Sequence, residues 1–115
     1  VFGKRRKESM AWNYLFVAGL FEVVWAIAMK YSEGFTKPLS SGITLVAMFI
    51  SIFFLSQALK ILPVGTGYAV WTGIGAVGTA LMGILLFNES REIARVLFIF
   101  LIITGIVGLK LTSSQ

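Results

Sequence analysis

Glu22 stands alone as an acid inside a long apolar stretch, FVAGLFEVVWAIAM (residues 16–29). The other acids, Glu8, Glu33, Glu89 and Glu92, flank apolar runs rather than interrupt them. An ionisable side chain at mid-bilayer costs roughly 2.5–3.5 kcal/mol even on a mild insertion scale. Loss of water favours its neutral form. A carboxylate so placed holds a proton or pairs with a cation, one at the expense of the other, and that competition suffices for exchange. The competing reading is a protonated packing residue, but no other acid or base in the apolar stretches needs such a partner. The chain has no histidine and no cysteine, which excludes thiol chemistry and the usual zinc sites. Proton chemistry near neutrality therefore falls to a carboxylate or a lysine. No nucleophile–base pair, metal cluster or cofactor loop is present, so neither an enzyme nor a cofactor is expected. The Gly-x-Gly of residues 73–75 has no phosphate-loop context.

The neighbours of Glu22 suit a cation. On a helix, Ala18, Gly19, Trp25 and Ala26 share its face. The small residues admit a second helix, and the Trp25 ring favours a cation by about 0.5–2 kcal/mol, although packing alone would also place a tryptophan there. Further along, Tyr68, Trp71, Thr72, Gly75, Thr79 and Gly83 recur at spacings of three and four. The aromatic part of this stripe is a candidate cavity wall. Gly73 and Gly75 weaken a helix and predict a bend, with ordinary small-residue packing as the alternative. Ser51 lies midway along another apolar stretch. Its hydroxyl is a candidate to hold Glu22 or a substrate N–H, against a bond back to its own helix. Gly105 and Gly108, with Thr104, form a small face suited to helix association.

These residues need a scaffold, and the composition names it. Of 115 residues, 57% are hydrophobic and 13% charged, and the mean hydropathy is +0.90. A soluble domain of this size cannot cover itself with so little polar surface, so lipid is the expected solvent. Four apolar stretches separated by short charged breaks predict an all-α membrane protein with helices over about 11–30, 39–59, 63–87 and 94–112, all within one domain, 10–115. Lys30, Arg95 and Lys110 snorkel at the ends, and Trp12, Tyr14, Tyr31 and Phe35 sit at interfaces. Residues 1–9 read as a polar basic tail, native or left by an added leader. The run Lys4, Arg5, Arg6, Lys7 supplies four of the ten positive charges, and no base-stacking surface accompanies it, so nucleic acid is not an expected partner. Four crossings put both termini on one side. That side carries six lysines and arginines against four on the other, or two against four without the tail. So small a bias predicts insertion in both orientations and hence an antiparallel dimer. Two copies would bring two Glu22 side chains to one pocket, where like charges titrate as a coupled unit.

The strings AGLFEVVWAIAMKYSEGF (18–35), LPVGTGYAVWTGIGAVG (62–78) and GIVGLKLTSS (105–114) carry a resemblance over 10–114. The chain resembles the small multidrug resistance transporters, most closely their guanidinium-exporter branch. Glu-Val-Val-Trp at 22–25 favours that branch, because the broader drug exporters usually lack this tryptophan. The resemblance implies an antiparallel, dual-topology homodimer in the bacterial inner membrane, exchanging protons for guanidinium or small guanidinylated cations at the two copies of Glu22. It implies that Trp25, Ser51, Tyr68 and Trp71 bind substrate, that Gly73 and Gly75 mark a bend, and that Gly105 lies in a dimer contact. Gly67 departs from the family's usual alanine and bears on substrate range. A broad exporter of quaternary ammonium and aromatic cations, and a non-transporting subunit of a membrane heterodimer, are the other expectations.

Overall fold

The structure, a computed structural model, describes residues 2–112. It contains four helices: α1 (Phe2–Tyr31), α2 (Pro38–Leu59), α3 (Val64–Phe87) and α4 (Ile93–Thr112). All four are long and apolar enough to cross a membrane. Three of them begin or end within a residue of the hydropathic expectation. The exception is the start of α1, which lies nine residues earlier than expected. Hydropathy marks where the chain leaves water, not where helical hydrogen bonding begins. Lysine, arginine and glutamate are good helix formers, so the basic run continues α1 outward instead of fraying. At about 1.5 Å per residue this 30-residue helix outreaches the ~30 Å of hydrocarbon.

The helices are positioned by small residues. α1 lies between α2 and α3, and α4 lies on the far side of α3. One core cluster joins Ala11, Leu15 and Ala18 of α1 to Leu55 and Ala58 of α2, Leu62 of the connection and Val70 of α3. Gly19 of α1 leaves room for Ile74 of α3, and Gly78 of α3 leaves room for Val23 of α1. On the opposite side of α3, Gly73 receives Ile102 and Ile106 of α4. Gly67, where alanine would be usual, accepts Leu59 from the end of α2, and a Cβ there would overlap it. The substitution is thus one of packing room.

The connections are tightly bonded. Between α1 and α2 the backbone turns through three successive positive φ angles, at Glu33 (48°), Gly34 (74°) and Phe35 (67°). Buried Ser32 holds this turn: its hydroxyl donates to the Met29 carbonyl at 2.6 Å and accepts the Phe35 N–H at 3.1 Å. Asn88 ends α3 in the left-handed conformation, and the Glu89 N–H returns to the Gly83 carbonyl. Arg95, at the start of α4, donates to Glu89 at 2.8 Å. Aromatic and cationic groups meet at both interfaces. Lys30 lies 5.0 Å from the centre of the Phe87 ring, and Lys110 lies 5.7 Å from that of Trp12.

The outer surface is that of a lipid-dissolved protein. Leu39, Phe49 and Ile93 are each more than three-quarters exposed, a loss of burial that water would not tolerate over so many residues. Ile99 is the buried residue of α4. The protomer is a slab with principal extents of 49 × 35 × 18 Å.

Candidate functional site

Glu22 lies about two-thirds of the way along α1, against α3. Its carboxylate lies against Gly75, so closely that a Cβ on Gly75 would overlap it. The Oε1 atom is buried and has no hydrogen-bond partner. One turn further along α1 the Trp25 indole N–H is also buried and unpaired. Native proteins satisfy most buried polar atoms, so an acceptor and a donor left open on one helix face, three residues apart, invite a ligand, a proton or a second copy.

Next to this pair a bonded chain ties three helices together. Trp71 of α3 donates its indole N–H to the Ser51 hydroxyl of α2 at 2.9 Å. Ser51, fully buried, in turn donates to the Ala18 carbonyl of α1 at 2.6 Å. Ala18 lies one helical turn before Glu22. Tyr68 meets Trp71 edge to face, with centroids 5.5 Å apart at 60°, and its ring is half exposed on the surface of the slab. Its carbonyl accepts the Thr72 hydroxyl.

Ser51, Trp71 and Tyr68 are thus linked in a row, with Ser51 reaching α1 one turn before Glu22 and Glu22 resting at Gly75, one turn beyond Trp71 on α3. Two expectations take a different form here. Ser51 bonds neither Glu22 nor its own helix; it spans to α1, because the small Ala18 lets the two backbones come close enough for a hydroxyl to reach. α3 runs as an unbroken helix through Gly73 and Gly75. Those two glycines, about 200° apart around the helix, are where α4 and Glu22 come close. A Cβ at Gly105 or Gly108 would meet nothing within 4 Å, so both positions face away from the protomer. The contact of Glu22 with Gly75 was not legible from spacing. The available signal was a glycine on the helical stripe of Tyr68 and Trp71, with no indication of which helix would fill it.

An apolar groove of about 1090 Å³ lies between α1, α2 and α3, lined by Val23, Val24, Ile27, Ile43, Leu81 and Leu85 among others. Its lining includes Val23, next to Glu22 in sequence, but not Glu22 itself, and Lys37 is its one charged residue.

The chain is similar to proteins named guanidinium exporter from Yersinia pseudotuberculosis serotype I (strain IP32953), 61% identical over 104 residues that cover 90% of this chain and all of the relative. The corresponding protein of Proteus vulgaris is 57% identical over the same shares. That of Citrobacter freundii is 59% identical, with 99% of the relative covered. The family model described as Small Multidrug Resistance protein matches residues 10–102, from the start of the first apolar stretch into α4. With four membrane-crossing helices and a match over most of its length, the chain is a multi-pass integral membrane protein of the Small Multidrug Resistance family.

Proposed function

We propose that this chain exports guanidinium and small guanidinylated cations across the bacterial inner membrane in exchange for protons, as an antiparallel pair of identical copies. The observation that carries this reading is the buried, unpartnered Glu22 oxygen, one turn from the equally unpartnered Trp25 indole N–H. The relatives named guanidinium exporter, about 60% identical, support the choice of cargo.

The chemistry of the cargo suits the residues. Guanidinium is planar, permanently charged and rich in N–H donors, so carboxylates grip it with paired hydrogen bonds. Glu22 of each copy would hold either a proton or the cation. Trp25, Tyr68 and Trp71 supply ring faces for stacking, and Ser51 fixes Trp71 in place. Gly73 and Gly75 would give α3 the freedom to bend as access alternates, and Gly105 and Gly108 would form the contact with the second copy. Two protons moved against one monovalent cation make the cycle electrogenic, worth about 2.3 kcal/mol per net charge per 100 mV.

The test is guanidinium-driven proton flux in liposomes. Glu22→Gln should insert normally and abolish the flux; normal flux from that variant ends the proposal. Competition among guanidinium, phenylguanidinium and tetraalkylammonium ions separates this reading from a broad quaternary ammonium exporter, for which the apolar groove beside Val23 and Val24 would be the favouring feature. Transport by the purified chain alone excludes a heterodimer subunit without activity of its own.

A further inference from the structure

Gly75 is one of five glycines on α3 whose missing side chain makes room for a neighbour in another part of the chain, and the neighbours differ in kind, beginning with Leu59 of α2 at Gly67. At Gly73 the space is filled by Ile102 and Ile106 of α4, and at Gly78 by Val23 of α1. At Gly83 it is filled by the Glu89 carboxylate, but that group is two-fifths exposed and paired with Arg95. At Gly75 it is filled by the Glu22 carboxylate, whose Oε1 is buried and unpaired. A Cβ there would overlap Oε1 and Cδ and would come within 2.8 Å of Cγ.

We propose that Gly75 is a positioning residue: its bare backbone forms a seat on α3 that holds the unloaded Glu22 carboxylate against the helix and sets where the acid meets its cation. This rests on the reading of Glu22 as the exchanging group and adds the surface that aims it. The argument is geometric. A glutamate side chain has three rotatable bonds and, on an open helix face, samples several rotamers. A notch that fits only one of them removes that freedom before the passenger arrives, which is how a supporting surface pre-organises a site. Gly73, two residues earlier, serves a different helix, so the two glycines of the Gly-x-Gly separate into a seat and a contact with α4.

Single alanine substitutions at Gly73, Gly75 and Gly78, each combined with Glu22→Asp, test this. The aspartate is one methylene shorter and withdraws the atoms that the new Cβ meets. Gly75→Ala should lower guanidinium turnover about tenfold, and adding Glu22→Asp should restore part of that loss, although Glu22→Asp alone should also be impaired. Gly78→Ala intrudes on the same α1–α3 contact and Gly73→Ala equally stiffens α3; neither should be rescued by Glu22→Asp. The seat is overturned if the Gly75→Ala and Glu22→Asp losses simply multiply, or if Glu22→Asp rescues the other glycine variants as well. If Gly75→Ala does not insert, recovery of insertion in the double variant supports the seat and failure to recover overturns it. The same cycle read as unfolding midpoint in detergent requires no transport. A Glu22→Gln variant with normal flux would therefore sink the transport reading while leaving this measurement to decide the seat.

Discussion

Trp71 and Ser51 are joined by a 2.9 Å hydrogen bond from indole to hydroxyl, and through Ser51 the tryptophan of α3 is tied to the backbone of α1 at Ala18. Trp71 is thus fixed by a serine that makes no hydrogen bond to Glu22. Ser51 is fully buried, so both of its bonds are made without competition from water.

Ser51→Ala removes the donor to Ala18 and leaves the Trp71 N–H without an acceptor. The expected cost is about 1–3 kcal/mol in unfolding free energy, read by denaturant or thermal unfolding in detergent. Trp71→Phe removes the donor and leaves Ser51 its bond to Ala18, so the double variant should be less destabilised than the sum of the singles. Full additivity would mean that the two side chains do not act together.

A side chain added at Gly105 or Gly108 would meet nothing within the protomer. Substituting both with leucine should leave secondary structure and protomer insertion intact and weaken self-association. Energy transfer between labelled copies diluted in lipid would report it. Unchanged association would move the contact between copies away from α4.

Ser32 holds a turn that passes through three left-handed residues, two of them not glycine. Non-glycine residues in that conformation each cost about 1–2 kcal/mol. Ser32→Ala should destabilise the α1–α2 hairpin by about 1–2 kcal/mol, and Gly34→Ala by a similar amount. Faster amide hydrogen exchange confined to residues 32–37 is the expected signature, and exchange unchanged there would remove the bracing role of Ser32.

The basic run at residues 4–7 should bias orientation without deciding it. With it, the side bearing the termini leads by six positive charges to four; without residues 1–9 it trails by two to four. The chain contains no cysteine, so a single one introduced at Ser90 is a clean label. Both faces of the membrane should label in the full chain, and removal of residues 1–9 should raise the share with the termini outside. Labelling from one face alone would contradict insertion in both orientations.

The helices were legible because lipid makes each one a local matter. Every backbone polar group in a bilayer must bond within its own segment, so length and hydropathy over about 20 residues suffice to place a crossing. The start of α1 escaped this logic because it lies in water, where hydropathy is silent about helix and coil. Glu22 was legible for the same reason as the helices: a lone acid in apolar sequence is conspicuous without any knowledge of its neighbours. Ser51, Tyr68 and Trp71 were placed on the right helices, but their partners were not. A spacing of three or four residues says which side chains share a face and nothing about what that face meets.

The sequence by itself determined four membrane-crossing helices, their order, and a single carboxylate held away from water. Only the tertiary structure decided that Ser51 would bond Ala18 and Trp71 rather than Glu22, and that the carboxylate would come to rest on Gly75. In lipid, hydrophobicity drives each helix into the bilayer but gives no preference among apolar faces. Which faces meet is therefore settled by where glycine and alanine let backbones approach, a matching of two surfaces that no single stretch of chain contains.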